Sequence, residues 1–386
     1  MNDVPIEYEF SMTGDSLLKR TNLYTMMIVF IIGGWGFIAY GVSSLLDEQP
    51  IVVKAPTDFA QRNNPAALHF DTHSTTITIG MIGDILLHHP LYTYDNYDFA
   101  FAGVKDQLIG IDFLLANQES MPGGKELGLT GYPSFNSPKH IIRDLKANGV
   151  DMVSIANNHT IDRKEAGLRK AIGHIKEYDM PYVGAYTSIE DQATHRIIDV
   201  DGVKIGVLSY TYGTNGNPVP QGKDYLVSLI ERERMQQEIG HLSELVDVVV
   251  VSMHWGSEYK LKPSKGQEEL AQFVADAGAD IIFGHHPHVL QKYDEVGDTK
   301  VFYSLGNFYS AQQFDSTNIG GIARVSITKI EVAGQSFMDI AEPVFYPTAV
   351  KRDGKNRFVV VPLKDAGAST MYGDSWISKH VGVPSW

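Results

Sequence analysis

The chain has 386 residues, 43% of them hydrophobic, which suffices for one large packed domain plus a further segment and excludes wholesale disorder. Lys and Arg number 32 against 46 Asp and Glu, a net charge of −14, so the chain lacks the basic excess of a nucleic-acid binder, and an acidic ligand would have to be met by a local positive feature such as bound metal. Cysteine is absent, which excludes disulfides and thiolate metal sites.

Residues 1–20 form a short leading segment. From Thr21 to Leu46 there is no charged residue and no histidine. As a helix this stretch would extend about 39 Å, enough to cross a ~30 Å hydrocarbon layer with tilt. Lys19 and Arg20 precede it, and Asp47 and Glu48 follow. The spacing therefore predicts a single transmembrane helix over 21–46, with the N-terminus cytoplasmic and the rest outside the cell membrane. A cleaved signal peptide, with Gly41-Val42-Ser43-Ser44 as its cleavage region, is the competing reading, but it calls for a shorter apolar core. Residues 47–74, with Pro50, Pro56 and Pro65 and no sustained period, read as a linker.

The globular domain is expected over 75–345. It opens on the alternating run Thr75–Ile79, and β-rich runs follow at Ile111–Ala116, Met152–Ile155, Ile205–Tyr210, Val246–Met253, Ile281–Phe283 and Val301–Ser304. Helical patterns lie between them at 138–148, 163–177, 229–245 and 265–277. The third carries Met235, Ile239, Leu242 and Leu245 at three- and four-residue spacing. Strand and helix in alternation predict an α/β fold with βαβ units and a sheet covered where it is parallel. No internal repeat is apparent. Beyond 345 the pattern weakens, and 346–386 reads as a C-terminal extension.

The informative feature is where the polar residues fall. Gly80–Gly83 runs into Asp84, with His88 and His89 beyond; Leu114–Ala116 leads to Asn117 and Glu119; Val153–Ala156 leads to Asn157, Asn158 and His159; Val249–Met253 leads to His254; and Ile281–Gly284 leads to His285, His286 and His288. Loops at the carboxyl ends of α/β strands converge on one crevice, so these groups should meet. Packing alone does not require five strands to end this way. Carboxylates, imidazoles and an amide without sulfur suit Mn, Fe or Zn. A carboxylate can bridge two such ions about 4 Å apart, and such a pair generates hydroxide near neutral pH and stabilises both attacking and leaving oxygens in a displacement.

Each piece is weaker alone. A single histidine such as His254 is more often a hydrogen-bonded core residue than a ligand, and an Asn-His pair at a strand end is usually a turn or cap. His286 and His288, if extended, would point to one side. Asp162, three residues before Glu165 and just ahead of a helical run, reads as the N-cap of a capping box. Gly306-Asn307 reads as a turn or as a further contributor to the site.

Taken in order, Gly83-Asp84, Asn117-Gln118-Glu119, Ala156-Asn157-Asn158-His159, His254-Trp255-Gly256, Gly284-His285-His286-Pro287-His288-Val289 and Tyr303-Ser304-Leu305-Gly306-Asn307-Phe308 resemble the CapA/PgsA family of capsule synthesis proteins of bacterial poly-gamma-glutamate biosynthesis. The resemblance covers roughly 75–310. That family in turn resembles the calcineurin-like metallophosphoesterases, which implies an α/β/β/α sandwich and two divalent metal ions. By position it implies Asp84, Glu119 (as the bridging carboxylate), Asn158, His254, His286 and His288 as metal ligands, with His159 as the general acid. His88, Asn117, His285 and Asn307 are further candidates. Two departures stand out: Leu86 occupies the position of a histidine ligand, for which His88 could substitute, and Glu119 replaces an aspartate.

The resemblance implies a membrane-anchored accessory subunit of capsule polymer synthesis and export. Its partners would be an amide ligase, small membrane proteins and poly-gamma-glutamate or a similar acidic polymer. The chain itself has no phosphate loop of the ligase kind. The alternative is an active metal-dependent phosphoesterase on an extracytoplasmic substrate. A scaffold that keeps the fold without metal is a third reading.

Overall fold

The alternation at Thr75–Ile79 extends into one long strand, β1 (Thr72–Leu86), the spine of the molecule. The computed structural model describes residues 72–384 apart from 313, 368 and 369. The apolar stretch 21–46 and nearly all of the linker lie outside the described residues. Among the described residues, no helix is long and apolar enough to cross a membrane.

On one side β1 pairs in parallel with β2 (Phe113–Gln118), which continues to β3 (Met152–Ser154) and β4 (Tyr182–Val183). A second sheet holds β5 (Ile197–Val200), β6 (Val203–Thr211), β7 (Val248–His254), β8 (Ile281–His285), β9 (Tyr293–Val296) and β10 (Thr299–Phe302), in the order β5-β6-β7-β8-β10-β9. Here β6, β7, β8 and β10 are parallel. The chain then returns to the first sheet. The short β11 (Asn307–Ser310) pairs in parallel with the end of β1, and β12 (Ile319–Val332) runs antiparallel along its length. Outside β12 lie β13 (Gln335–Ile340), β14 (Val344–Arg352) and β15 (Phe358–Pro362).

The period-two rule explains the layering. Ile77, Ile79 and Met81 of β1 face inward with Phe113 and Leu115, meeting Val248, Val250, Ile281 and Phe283 of the second sheet. The alternate residues Ile82, Leu114, Ala116 and Val153 face Ile141, Leu145, Leu168 and Ile172 of the helices His140–Ala147 and Lys164–Glu177. On the far side Val249, Val251 and Ile282 meet Met235, Ile239, Leu242 and Ala271 of the helices Arg232–Ser243 and Lys265–Asp276. The result is a mixed α/β sandwich of four layers: helices, sheet, sheet, helices. Leu245, expected to continue the apolar stripe of Met235, Ile239 and Leu242, is exposed because the helix ends at Ser243.

The boundary read after residue 345 falls inside β14. Residues 346–362 continue the first sheet through β14 and β15, and Ile377 and Val381 of the terminal helix Asp374–Val381 enter the inter-sheet core. Their sequence pattern is weak because β15 is only partly covered and Pro347 and Thr348 interrupt the apolar run of β14.

A polar knot closes the β4 edge. The Asp191 carboxylate accepts from Tyr182 Oη at 2.7 Å, Thr187 N at 2.9 Å and Arg196 Nη2 at 2.7 Å. Burial opposes its ionisation, but the hydrogen bonds from Thr187, Tyr182 and Arg196 outweigh burial and pull its pKa down to about 2. A depressed carboxylate stabilises the fold above its unfolded value of about 3.9 and loses that contribution as pH falls towards the folded value. Asp191→Asn should therefore lower the melting temperature at pH 7 and narrow the gap from wild type as pH falls from about 4 to about 2. Thermal unfolding followed across that range checks it.

Candidate metal centre

Because β1, β2 and β3 run parallel, as do β6, β7 and β8, their carboxyl ends gather at one edge of the sandwich. Asp84 lies where the β1 ladder shifts register. Only glycine fits before it: a Cβ on Gly83 would lie 2.3 Å from the Gly306 carbonyl oxygen. That close approach brings β11, and with it Asn307, alongside Asp84.

Asp84 is fully buried. Its Oδ1 accepts from Asn117 Nδ2 at 2.8 Å and from His285 Nδ1 at 2.9 Å. Its Oδ2 lies 3.2 Å from His288 Nδ1 and 3.3 Å from the His286 backbone N–H. Glu119, just past β2, has no exposure; its Oε1 is 3.7 Å from His254 Nε2 and 3.6 Å from His288 Nε2. His254 Nε2 is also 2.8 Å from Asn158 Oδ1. The structure thus brings Asp84, Glu119, Asn158, His254, His286 and His288 into one cluster.

The remaining candidates sort by their contacts. Asn117 bridges Asp84 and the neighbourhood of His254 Nδ1, at 3.5 Å. His285 is occupied on both nitrogens, by Asp84 and by Met81 Sδ at 3.4 Å, and so orients Asp84 from behind. Asn307 is part of the site, since its Oδ1 lies 3.0 Å from His288 Nδ1 while its amide is held by Gln312 and the Thr317 carbonyl. His88 Nδ1 is taken up by the Leu86 carbonyl at 3.2 Å and Ser310 Oγ at 3.3 Å, and its ring packs edge-on against Phe135. It lies in none of the described groups that could hold a metal ion.

Two local expectations need correction. His286 and His288 are not extended: β8 ends at His285, and their φ angles of 94° and 56° lie in the left-handed region. A turn with Pro287 between them, and not strand alternation, brings both rings to the cluster. Asp162 is not a helix cap. The helix Lys164–Glu177 has Arg163 at its N-cap position with no side-chain cap bond. Glu165 instead pairs with Arg169 and Lys223. Asp162 Oδ2 lies 2.7 Å from His159 Nδ1 and accepts from the Phe135 N–H at 2.8 Å, so it holds the His159 ring.

The electrostatics follow from burial among charges. Burial opposes ionisation of Asp84, yet hydrogen bonds from His285 and His288 hold its carboxyl well below the usual range. Glu119 has no such donors, and burial pushes it well above. Burial also depresses His254 strongly and His286 to about 3. It works against His288 too, but the Glu119 charge and the Asp84 bond raise that ring to about 9.

Both Glu119 oxygens and His286 Nδ1 are buried with no hydrogen-bond partner. Leaving such groups bare is costly, and a bound cation would offset that cost. The donor geometry fits: the ligand atoms of Glu119, His254 and His286 lie within 4.8 Å of one another, as do those of Asp84, Glu119 and His288, and those of Glu258, His286 and His288. This His/Glu/Asp cluster could hold a metal ion. Sequence reasoning missed Glu258, which sits four residues past His254 on an irregular loop. It also missed Tyr212, just past β6, whose ring centroid lies 4.6 Å from that of His286. Asn215 was missed as well; its amide reaches His159 Nδ1 at 3.4 Å and its Oδ1 accepts from Asn158 at 3.3 Å.

A family model described as bacterial capsule synthesis protein PGA_cap matches residues 78–312. The chain is 31% identical over 288 residues to the capsule biosynthesis protein CapA of Bacillus anthracis, covering 69% of this chain and 67% of that protein. It is 31% identical over 225 residues to the PGA biosynthesis protein CapA of Bacillus subtilis (strain 168), covering 58% and 59%. It therefore spans less than two thirds of the latter's length. Among solved structures, the NAD nucleotidase of Haemophilus influenzae aligns with a TM-score of 0.40 and 14% identity, over 78% of this chain and 55% of that one.

Proposed function

The chain belongs to the bacterial capsule synthesis protein family, and from that premise we propose that it is a membrane-anchored accessory subunit of capsule polymer synthesis whose outer domain carries a two-metal phosphoesterase centre. The observation that carries the reading is Glu119. It is a sealed carboxylate with both oxygens unpartnered, and it belongs to two of the ligand groups at once. A carboxylate so placed would serve as a ligand shared by the two groups. In this reading Asp84, His288 and Glu119 would hold one divalent ion, and Glu119, His254 and His286 the other, with the Asn158 amide oxygen beside His254. The sulfur-free donor set suits Mn, Fe or Zn.

Bound divalent ions supply Lewis acidity, neutralising phosphoryl charge and making water nucleophilic near neutral pH. The chain's own residues do the rest. Asp162 accepts a hydrogen bond from His159 Nδ1–H and fixes the ring, which leaves Nε2 to pass a proton to the leaving oxygen. Asn307 and His285 orient His288 and Asp84 from behind, as outer-shell partners do in metal sites.

The uncharged stretch 21–46 between Lys19-Arg20 and Asp47-Glu48 supports anchoring in the cell membrane with the domain outside. There the domain would work beside an amide ligase and small membrane proteins on poly-gamma-glutamate or a similar acidic polymer. Deleting the gene should abolish external polymer, and re-expressing wild type should restore it while His159→Ala fails to. Polymer unchanged by deletion would refute the capsule role; full rescue by His159→Ala would remove the catalytic part alone.

A further inference from the structure

Aromatic side chains left in water are uncommon, because a ring gains by burial and a contiguous exposed cluster usually marks a contact surface. Three of the exposed large hydrophobic residues stand around the ligand histidines: Tyr212 is 47% exposed, Tyr259 43% and Phe314, against Tyr259, 61%. The Tyr212 ring lies 4.6 Å from the His286 ring and is stacked 6.4 Å from that of His254. The Tyr259 ring lies 6.3 Å from the His288 ring and 5.3 Å from that of Phe314, edge to face. The rings therefore flank the ligand histidines from the His254 side and the His288 side. Tyr259 is firmly seated, with a positive φ of 63° and its N–H donating to the Pro287 carbonyl at 2.8 Å.

Polar groups nearby narrow the choice of ligand. Glu258 adds a carboxylate within reach of His286 and His288, which repels a second negative charge beside the phosphoryl group. Asn215 adds an amide next to His159. A surface of this kind fits a flat, uncharged ring and not a run of carboxylates.

We propose that Tyr212, Tyr259 and Phe314 form an aromatic clamp that selects phosphomonoesters whose leaving group carries a planar ring. The inference rests on the hydrolytic reading of the centre and implies that the acidic polymer is not the ester cleaved there. In the reaction the ester P–O bond breaks, the oxygen of water bonds to phosphorus, and His159 returns a proton to the departing alkoxide.

The test uses the full-length chain with Mn²⁺ and two matched pairs of probes, planar benzyl against puckered cyclohexylmethyl. Benzylphosphonate and cyclohexylmethylphosphonate report binding by calorimetry, and the two corresponding phosphate esters report hydrolysis. Wild type should bind the benzyl phosphonate about tenfold more tightly, in line with stacking on two rings, and show a similar bias in kcat/KM. Tyr259→Phe should keep the preference. Tyr259→Leu and Phe314→Leu should each reduce it, and Tyr212→Leu with Tyr259→Leu should bring the ratio to about one. Equal binding of the two phosphonates by wild type, or a preference that survives the double leucine variant, overturns the clamp. A benzyl preference in binding without hydrolysis of either ester leaves the clamp standing and removes the hydrolytic reading.

Discussion

His159→Ala should lower turnover of an aryl phosphate by roughly 10²- to 10⁴-fold, the range over which a positioned general acid acts, while bound metal stays at the wild-type level. The separation follows from geometry. His159 is tied to Asp162 at 2.7 Å, and it belongs to none of the ligand groups formed by Asp84, Glu119, His254, His286 and His288. Removing its ring takes away a proton donor and leaves the cation donors in place. Asp162→Asn should give a smaller loss, because the ring remains but its orientation is no longer held by a carboxylate. Steady-state kinetics with metal content measured on the same sample checks both. Wild-type rates in His159→Ala would contradict the assignment.

Glu119→Gln should have opposite effects on stability with and without metal. In the metal-free chain the wholly buried Glu119 accepts no hydrogen bond, and burial outweighs the attraction of the His288 ring 3.6 Å away, so a neutral amide of the same shape should raise stability by about 1–3 kcal/mol. With metal the order reverses. A ligand that binds only the folded state adds about 4 kcal/mol at a thousandfold excess over its Kd, and the variant forfeits most of this because amide oxygens are poor bridges. Thermal unfolding of both proteins in chelator and in excess Mn²⁺ would show the crossover. Parallel shifts in the two conditions would mean that Glu119 does not contact a cation.

Much of this arrangement was legible in the residues because parallel strands end at a common edge. Apolar runs closing on Asp84, Glu119, His254 and His285–His288 place those groups together almost irrespective of the helices between. A sheet covered on both faces was legible too, since Val248–Val251 faces two apolar layers at once, whereas the second sheet of the sandwich was implied only by the family resemblance. Other features depended on contacts distant in sequence. Asp162, three residues from both His159 and Glu165, could serve either one, and only the approach of the Phe135 N–H decides for the histidine. Glu258 and Tyr212 lie just past the ends of β7 and β6, where nothing periodic marks them. The left-handed backbone at His286 and His288 leaves no alternation to read. The strands after residue 345 were hidden because an outer, half-covered strand such as β15 needs little apolar patterning.

Everything proposed for the centre depends on Glu119 and its neighbours binding cations. Elemental analysis of the full-length chain, purified without chelator from cells supplied with Mn, Fe and Zn, addresses this directly. Two divalent ions per chain in wild type, falling below one in Glu119→Gln, is the expected result. A folded wild-type chain carrying no stoichiometric metal would contradict it.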